Sequence, residues 1–183
     1  MPILVDAYTM GGVASGVLAR PGHLRDIIEQ EGRLDLERVQ WRPLDGEPQE
    51  TTNVSIPIDD ILIAVADGES TVPVHAHWHP IRLELGPYVV EGEMSTMPGF
   101  DPGRALTRPS GEFVLLRDVR LGRRSADEAA SADISIGHEA LINRYVVEAV
   151  SADLMLGFFF PGAEMVSSEP DQPGTPALGG ATG

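Results

Sequence analysis

Two stretches of this chain, residues 16–67 and 92–153, follow one pattern, and a chain made of two copies of one unit has few folds open to it. Leu34, Leu36, Val39 and Trp41 have the same spacing as Val114, Leu116, Val119 and Leu121, with the charged pairs Glu37-Arg38 and Arg117-Asp118 in the same gap. Each copy also opens on a β-prone stretch with a glycine at the matching place, Gly16 and Gly92. Glycine inside a strand marks a bulge, a tight bend or a close backbone approach. The apolar positions alternate with period two except at the three-residue steps from Leu36 to Val39 and from Leu116 to Val119. Each step breaks the phase, which predicts a β-bulge at each charged pair.

The remaining elements are read around that strand. Leu24, Ile27 and Ile28 share one helical face and Gly32 can stop the helix, whereas Pro102 and Pro109 leave room for about one turn in the second copy. The polar stretches DGEPQETTN and GRRSADEAASAD read as hairpin loops. After them come the short strands VSIPI and ILIAVA in the first copy, ISI and YVVEAV in the second. The expected fold is mainly β, a tandem duplication of a small curved β-barrel unit with one short helix per unit. In architecture such a unit resembles the SH3-like and Sm-like barrels. The alternative is a single β-sandwich formed by both repeats. The boundaries are a first unit at 1–67, a linker at 68–79, a second unit at 80–160 and a disordered tail at 161–183, whose end is rich in Ser, Pro, Gly, Ala and Thr. LMLGFFFPG at 154–162 is the most hydrophobic stretch, read as a buried last strand or, more sharply, as a patch for a partner.

Composition narrows the chemistry. The chain has no cysteine, which excludes disulfides, thiolate metal sites and thiol nucleophiles and suits a reducing compartment. All thirteen basic residues are arginine, a bias expected of a GC-rich bacterial genome. The net charge is −15, and acids outnumber arginines thirteen to five over residues 1–69 and twelve to eight over 80–153, so the acidity belongs to both halves. Such a field repels phosphate backbones and anionic lipid, which argues against nucleic acid and membrane surfaces and for a protein partner with a basic face. No apolar run approaches the roughly 20 residues that span a bilayer, and the N-terminus has no leader pattern. The chain reads as cytoplasmic.

One cluster stands out. His75, His77 and His79 form an H-x-H-x-H series, and in an extended segment the period of two puts all three imidazoles on one face, a spacing that suits Zn²⁺ or another divalent transition metal. The flanking Pro73 and Pro80 place the segment at an edge or in a connector. No phosphate loop, nucleophile elbow or H-E-x-x-H helix is present, and no lysine exists for Schiff-base chemistry. No catalytic residue is assigned. The reading that follows is a non-enzymatic bacterial binding or scaffold protein, with a homo-oligomer through sheet edges or Leu154–Phe160 as a further possibility. Two alternatives stand beside it: a metal-binding protein centred on His75, His77 and His79, and a small-molecule binder or enzyme with an acidic site between the repeats, using Asp59, Asp60 and Arg144.

Overall fold

A computed structural model describes residues 2–67, 77–96, 111–124, 133–153, 156 and 159–166. In chain order the elements are β1 (Leu4–Thr9), β2 (Gly12–Leu18), α1 (Leu24–Glu31), β3 (Arg33–Pro43), β4 (Gln49–Pro57), a 3₁₀ turn (Ile58–Asp60) and β5 (Ile63–Ala66). They continue with β6 (His77–Leu85), β7 (Tyr88–Thr96), β8 (Phe113–Arg123), β9 (Asp133–Asn143), β10 (Ala149–Ala152) and β11 (Glu164–Val166). The protein is mainly β. Among the described residues eleven strands form one sheet in the order β11-β10-β6-β7-β8-β9-β5-β1-β2-β3-β4.

The bulges fall where the phase break places them. Val17 lies opposite Glu37 and Ser15 opposite Gln40, while Glu93 lies opposite Arg117 and Glu91 opposite Arg120, so each pair of strands slips by one residue at Gly16 and at Gly92. Arg38 and Asp118, the second members of the charged pairs, both have φ 51°, and among the described residues no other non-glycine residue has a positive φ. A left-handed residue bearing a side chain costs about 1–2 kcal/mol, and the bulge accepts that cost so that Val39 and Val119 return to the core side. A Cβ on Gly16 would lie 3.0 Å from the Glu37 carbonyl oxygen and 3.0 Å from Val39 Cγ2; on Gly92 it would lie 3.0 Å from the Arg117 carbonyl oxygen and 3.4 Å from Val119 Cγ2. A side chain at either site would press on a neighbouring backbone carbonyl.

Corresponding residues in the two halves have corresponding neighbours. Val5 lies opposite Gly16 and Ala66, and Ile81 lies opposite Gly92 and Ala152. Leu36 lies between Leu18 and Val54, and Leu116 between Met94 and Ala140. Each half therefore contributes five strands in the same relative order, β5-β1-β2-β3-β4 and β10-β6-β7-β8-β9. Ile56 on β4 and Ala64 on β5 stand at opposite ends of the first run yet share one core, which requires the sheet to curl. The ladder does not close into a barrel, a correction to the expected architecture. The outer edge of β5 takes β9 from the other half and the outer edge of β10 takes β11, so neither is left to pair with its own fourth strand. The strands also do not divide into two hydrogen-bonded sheets, as a sandwich would require.

Helix α1 forms where the apolar face predicts it: Leu24 and Ile28 are buried against the first core and Gly32 stops the helix at φ 66°, its N–H donating to the Ile28 carbonyl. The corresponding segment of the second half lies outside the described residues. Three boundaries move. Residues 77–79, expected in the linker, open β6; Gln49–Asn53, expected in a hairpin loop, belong to β4; and Glu164–Val166, expected in the tail, pair in parallel with β10. Leu156, Phe159 and Phe160 do not form a last strand. They make a turn, with the Phe159 N–H on the Leu156 carbonyl at 2.8 Å, and bury Leu156 and Phe160 completely.

Candidate interaction surface

The halves are joined by a short strand pairing reinforced from both sides. Ile63 and Ala64 of β5 lie opposite Ile142 and Leu141 of β9, and the Asn143 N–H donates to the Leu62 carbonyl at 3.0 Å. The Asn143 side chain, 3 % exposed, donates from Nδ2 to the Ile61 carbonyl at 3.2 Å. Phe113 and Leu141 of the second half are buried in the core of the first, while Tyr8, Val13, Leu62 and Ile63 of the first are buried in the core of the second. Glu29 of α1 accepts the N–H groups of Glu112 at 3.0 Å and Phe113 at 3.4 Å. Tyr88 Oη donates to the Thr9 carbonyl at 3.0 Å and stands 3.3 Å from the Gly12 carbonyl oxygen, with its ring edge-on to Tyr8 at 5.5 Å. Burial pushes the Tyr88 phenol up to about 12, against a smaller downward pull from Arg123.

The other face of that strand position is β4, and there the chemistry changes. Where β8 and β9 place Phe113 opposite Asn143, β3 and β4 place Arg33 opposite Pro57; where Leu115 lies opposite Leu141, Asp35 lies opposite Ser55. Phe113, Leu141 and Asn143 are buried, whereas Arg33, Ser55 and Pro57 are exposed. Among the described residues β4 ends the sheet. Its sequence QETTNVSIP carries one charge, Glu50, and is flanked by the exposed acids Asp45 and Glu47 before it and Asp59 and Asp60 after it. The Ser55 hydroxyl holds the Asp35 carboxyl below the usual carboxylate range, with burial opposing and Arg33, 3.2 Å away, assisting.

The expected site residues are only partly brought together. His77 and His79 stand two apart on β6, on the side that carries Ile81 and Leu83 into the core, with His77 exposed and His79 half-buried. Pro80 fits the strand because pairing with β10 starts only at Ile81, so its missing N–H costs no ladder bond there. His75 lies outside the described residues, and among the described residues no group of three His, Cys, Asp or Glu side chains is placed to hold a metal. Asp59 and Asp60 are exposed on the 3₁₀ turn, while Arg144 is 3 % exposed with its guanidinium 4.8 Å above the Tyr145 ring. None of the three lines either of two surface hollows of about 290 and 280 Å³. The first is floored by Val5 and Gly16 and the second by Ile81 and Gly92, which are matching places in the two halves.

Two features escaped the sequence reading. Trp78 carries the Arg117 guanidinium 3.8 Å from its ring centre, and Arg117 in turn pairs with Glu93 at 2.6 Å, a stack assembled from β6, β7 and β8. Arg124 bridges Glu148 at 2.6 Å and Glu84 at 3.3 Å, and Glu148 also accepts the Gly86 N–H. Neither has a local signature, because each draws its members from parts of the chain that meet only in the fold. Among the described residues no helix is long and apolar enough to cross a membrane. Comparison of the chain with protein-family models, characterised proteins and solved structures finds no significant match.

Proposed function

We propose that this chain is a non-enzymatic binding or scaffold protein, a tandem duplication of one small curved β unit of SH3-like or Sm-like architecture, acting through contacts between its sheet edges and a protein with a basic face. The observation that carries the reading is the recurrence of register: Gly16 lies opposite Val5 as Gly92 lies opposite Ile81, Leu36 and Leu116 hold matching places between their neighbouring strands, and Arg38 and Asp118 share a φ of 51°. Such a plan, with an outer strand bordered by acids and a net charge of −15, favours binding over turnover. Immobilised full-length protein is expected to retain a basic protein from a bacterial lysate at about 50 mM salt and to release most of it at about 500 mM, where screening is several times stronger. The isolated partner should then bind purified chain with the same salt dependence. Tight binding of mixed duplex DNA at about 150 mM salt would overturn the reading.

The metal reading stays second because His77 and His79 occupy one side of β6 beside its exposed start. Three imidazoles would bind Zn²⁺ or Ni²⁺ no more tightly than micromolar if the segment has to be ordered on binding. Calorimetry of untagged protein and of the His75, His77 and His79 triple alanine variant decides it; nanomolar binding lost in the variant would put the metal first.

A further inference from the structure

We infer that the outer edge of β4 is a docking edge for an extended, basic segment of a partner protein, which adds as an antiparallel strand along Gln49–Pro57. The inference rests on the basic-partner reading above and assigns it a place. Strand β9 stands in β8's ladder as β4 stands in β3's, and β9 takes an added antiparallel strand, β5, on that very edge. The geometry of an accepting edge is therefore realised once inside the molecule.

The occupant of β4 is not another β5. Three groups fasten β5 to β9: buried Phe113 and Leu141, and Asn143 with its paired N–H and amide. At the matching places β4 and its neighbour β3 offer Pro57, which has no N–H, with Ser55 and Arg33, all exposed. A second copy of this chain, itself at −15, meets neither the apolar contacts nor a favourable field. What β4 does offer is an uncharged middle rich in β-branched residues, Thr51 to Ile56, between acids at both ends, Glu47 and Glu50 at one and Asp59 and Asp60 at the other. An extended segment of about ten residues spans that length at about 3.3 Å per residue. It would carry Lys or Arg at both ends and small or β-branched residues between them, main-chain bonds supplying affinity and the terminal charges supplying selection.

The register also indicates which N–H groups face outward. Asn143 directs its N–H away from β8, and alternation extends that to the positions two and four residues back, which on β4 are Ser55 and Asn53. Pro57, at the place of Asn143, is tolerated for the same reason. Asn53→Pro should therefore keep the β3 pairing and block only the added strand.

The test is fluorescence anisotropy with the full chain and a labelled ten-residue peptide, Lys-Arg-Thr-Val-Thr-Val-Thr-Val-Arg-Lys. Expected results are micromolar binding at about 50 mM salt, weakened about tenfold or more at about 500 mM. Asn53→Pro should lower affinity at least tenfold with the melting temperature within a few degrees, and a combined Glu47→Gln, Glu50→Gln, Asp59→Asn and Asp60→Asn variant should lower it similarly. If a backbone N-methylated peptide of the same charge binds equally well, or Asn53→Pro changes nothing, the edge assignment falls while the basic-partner reading stands. If neither peptide nor any basic protein binds at low salt, both fall. A concentration-dependent dimer abolished by Asn53→Pro would make the occupant a second copy and overturn the proposal.

Discussion

Gly16 and Gly92 show how much of this fold depends on single atoms. Each is the residue skipped where its strand slips past the neighbour, and a methyl there meets a backbone carbonyl at 3.0 Å. Backbone oxygen in a ladder cannot yield as a flexible side chain does, so Gly16→Ala and Gly92→Ala should each cost about 1–3 kcal/mol, the range for overpacking. Urea denaturation checks this, and a loss at one glycine but not the other would separate two sites that the proposed duplication equates. Tyr88 makes a second prediction. An unfolded tyrosine ionises near 10, whereas burial holds the folded phenol protonated up to about 12. Below 10 both states are neutral and nothing is lost. Between those values the unfolded chain alone gives up the proton, so stability should fall by about 1.4 kcal/mol per pH unit. Tyr88→Phe, which also forfeits the bond to Thr9, should flatten that alkaline decline in denaturation measured at pH 9 to 11.

At the scale of elements, β4 and β9 show that strands in the same ladder position can be given opposite roles by a few side chains. The interior one carries Leu141 and Asn143 and is covered; the outer one carries Ser55 and Pro57 and is exposed. Proline and polar residues are common means of keeping an edge from pairing indiscriminately. The Ser55 bond to Asp35 ties β4 to β3 on that exposed border. Because it lowers the folded carboxyl's proton affinity, its contribution is present above the ordinary aspartate value of about 3.9 and is lost as pH falls through and below it. Ser55→Ala is expected to move the Asp35 titration upward in NMR and to remove part of the acid-side slope. An unchanged titration would leave the shift to Arg33 and the remaining charges.

For the whole molecule, the decisive fact is that each core contains residues of the other half. Phe113 is fully buried among first-half residues, so Phe113→Ala should cost about 3–5 kcal/mol and lower a single transition rather than one of two. Residues 1–67 alone would expose the faces that Phe113 and Leu141 cover, and the fragment is expected to lack a dispersed amide spectrum. A well-folded fragment, or two separate transitions in the full chain, would show the halves to be autonomous.

How much of this was legible beforehand follows from the range of each interaction. The three-residue step between Leu36 and Val39 located the bulge, Gly16 and Gly92 marked the tight approach, and Leu24, Ile28 and Gly32 placed the helix and its end, because bulges, caps and helical faces are local matters of phase and backbone freedom. The absence of cysteine and lysine likewise removed whole classes of chemistry without reference to any fold. Alternation tells which way a side chain faces, however, and says nothing of which strand lies alongside. That β5 joins β9 and not β4, that the ladder stays open, that residues 77–79 open a strand, and that Phe113 serves the other half's core were decided by tertiary pairing between residues far apart in the chain. The candidate edge at β4 was hidden for the same reason, since a strand becomes an edge only through what the rest of the molecule leaves beside it.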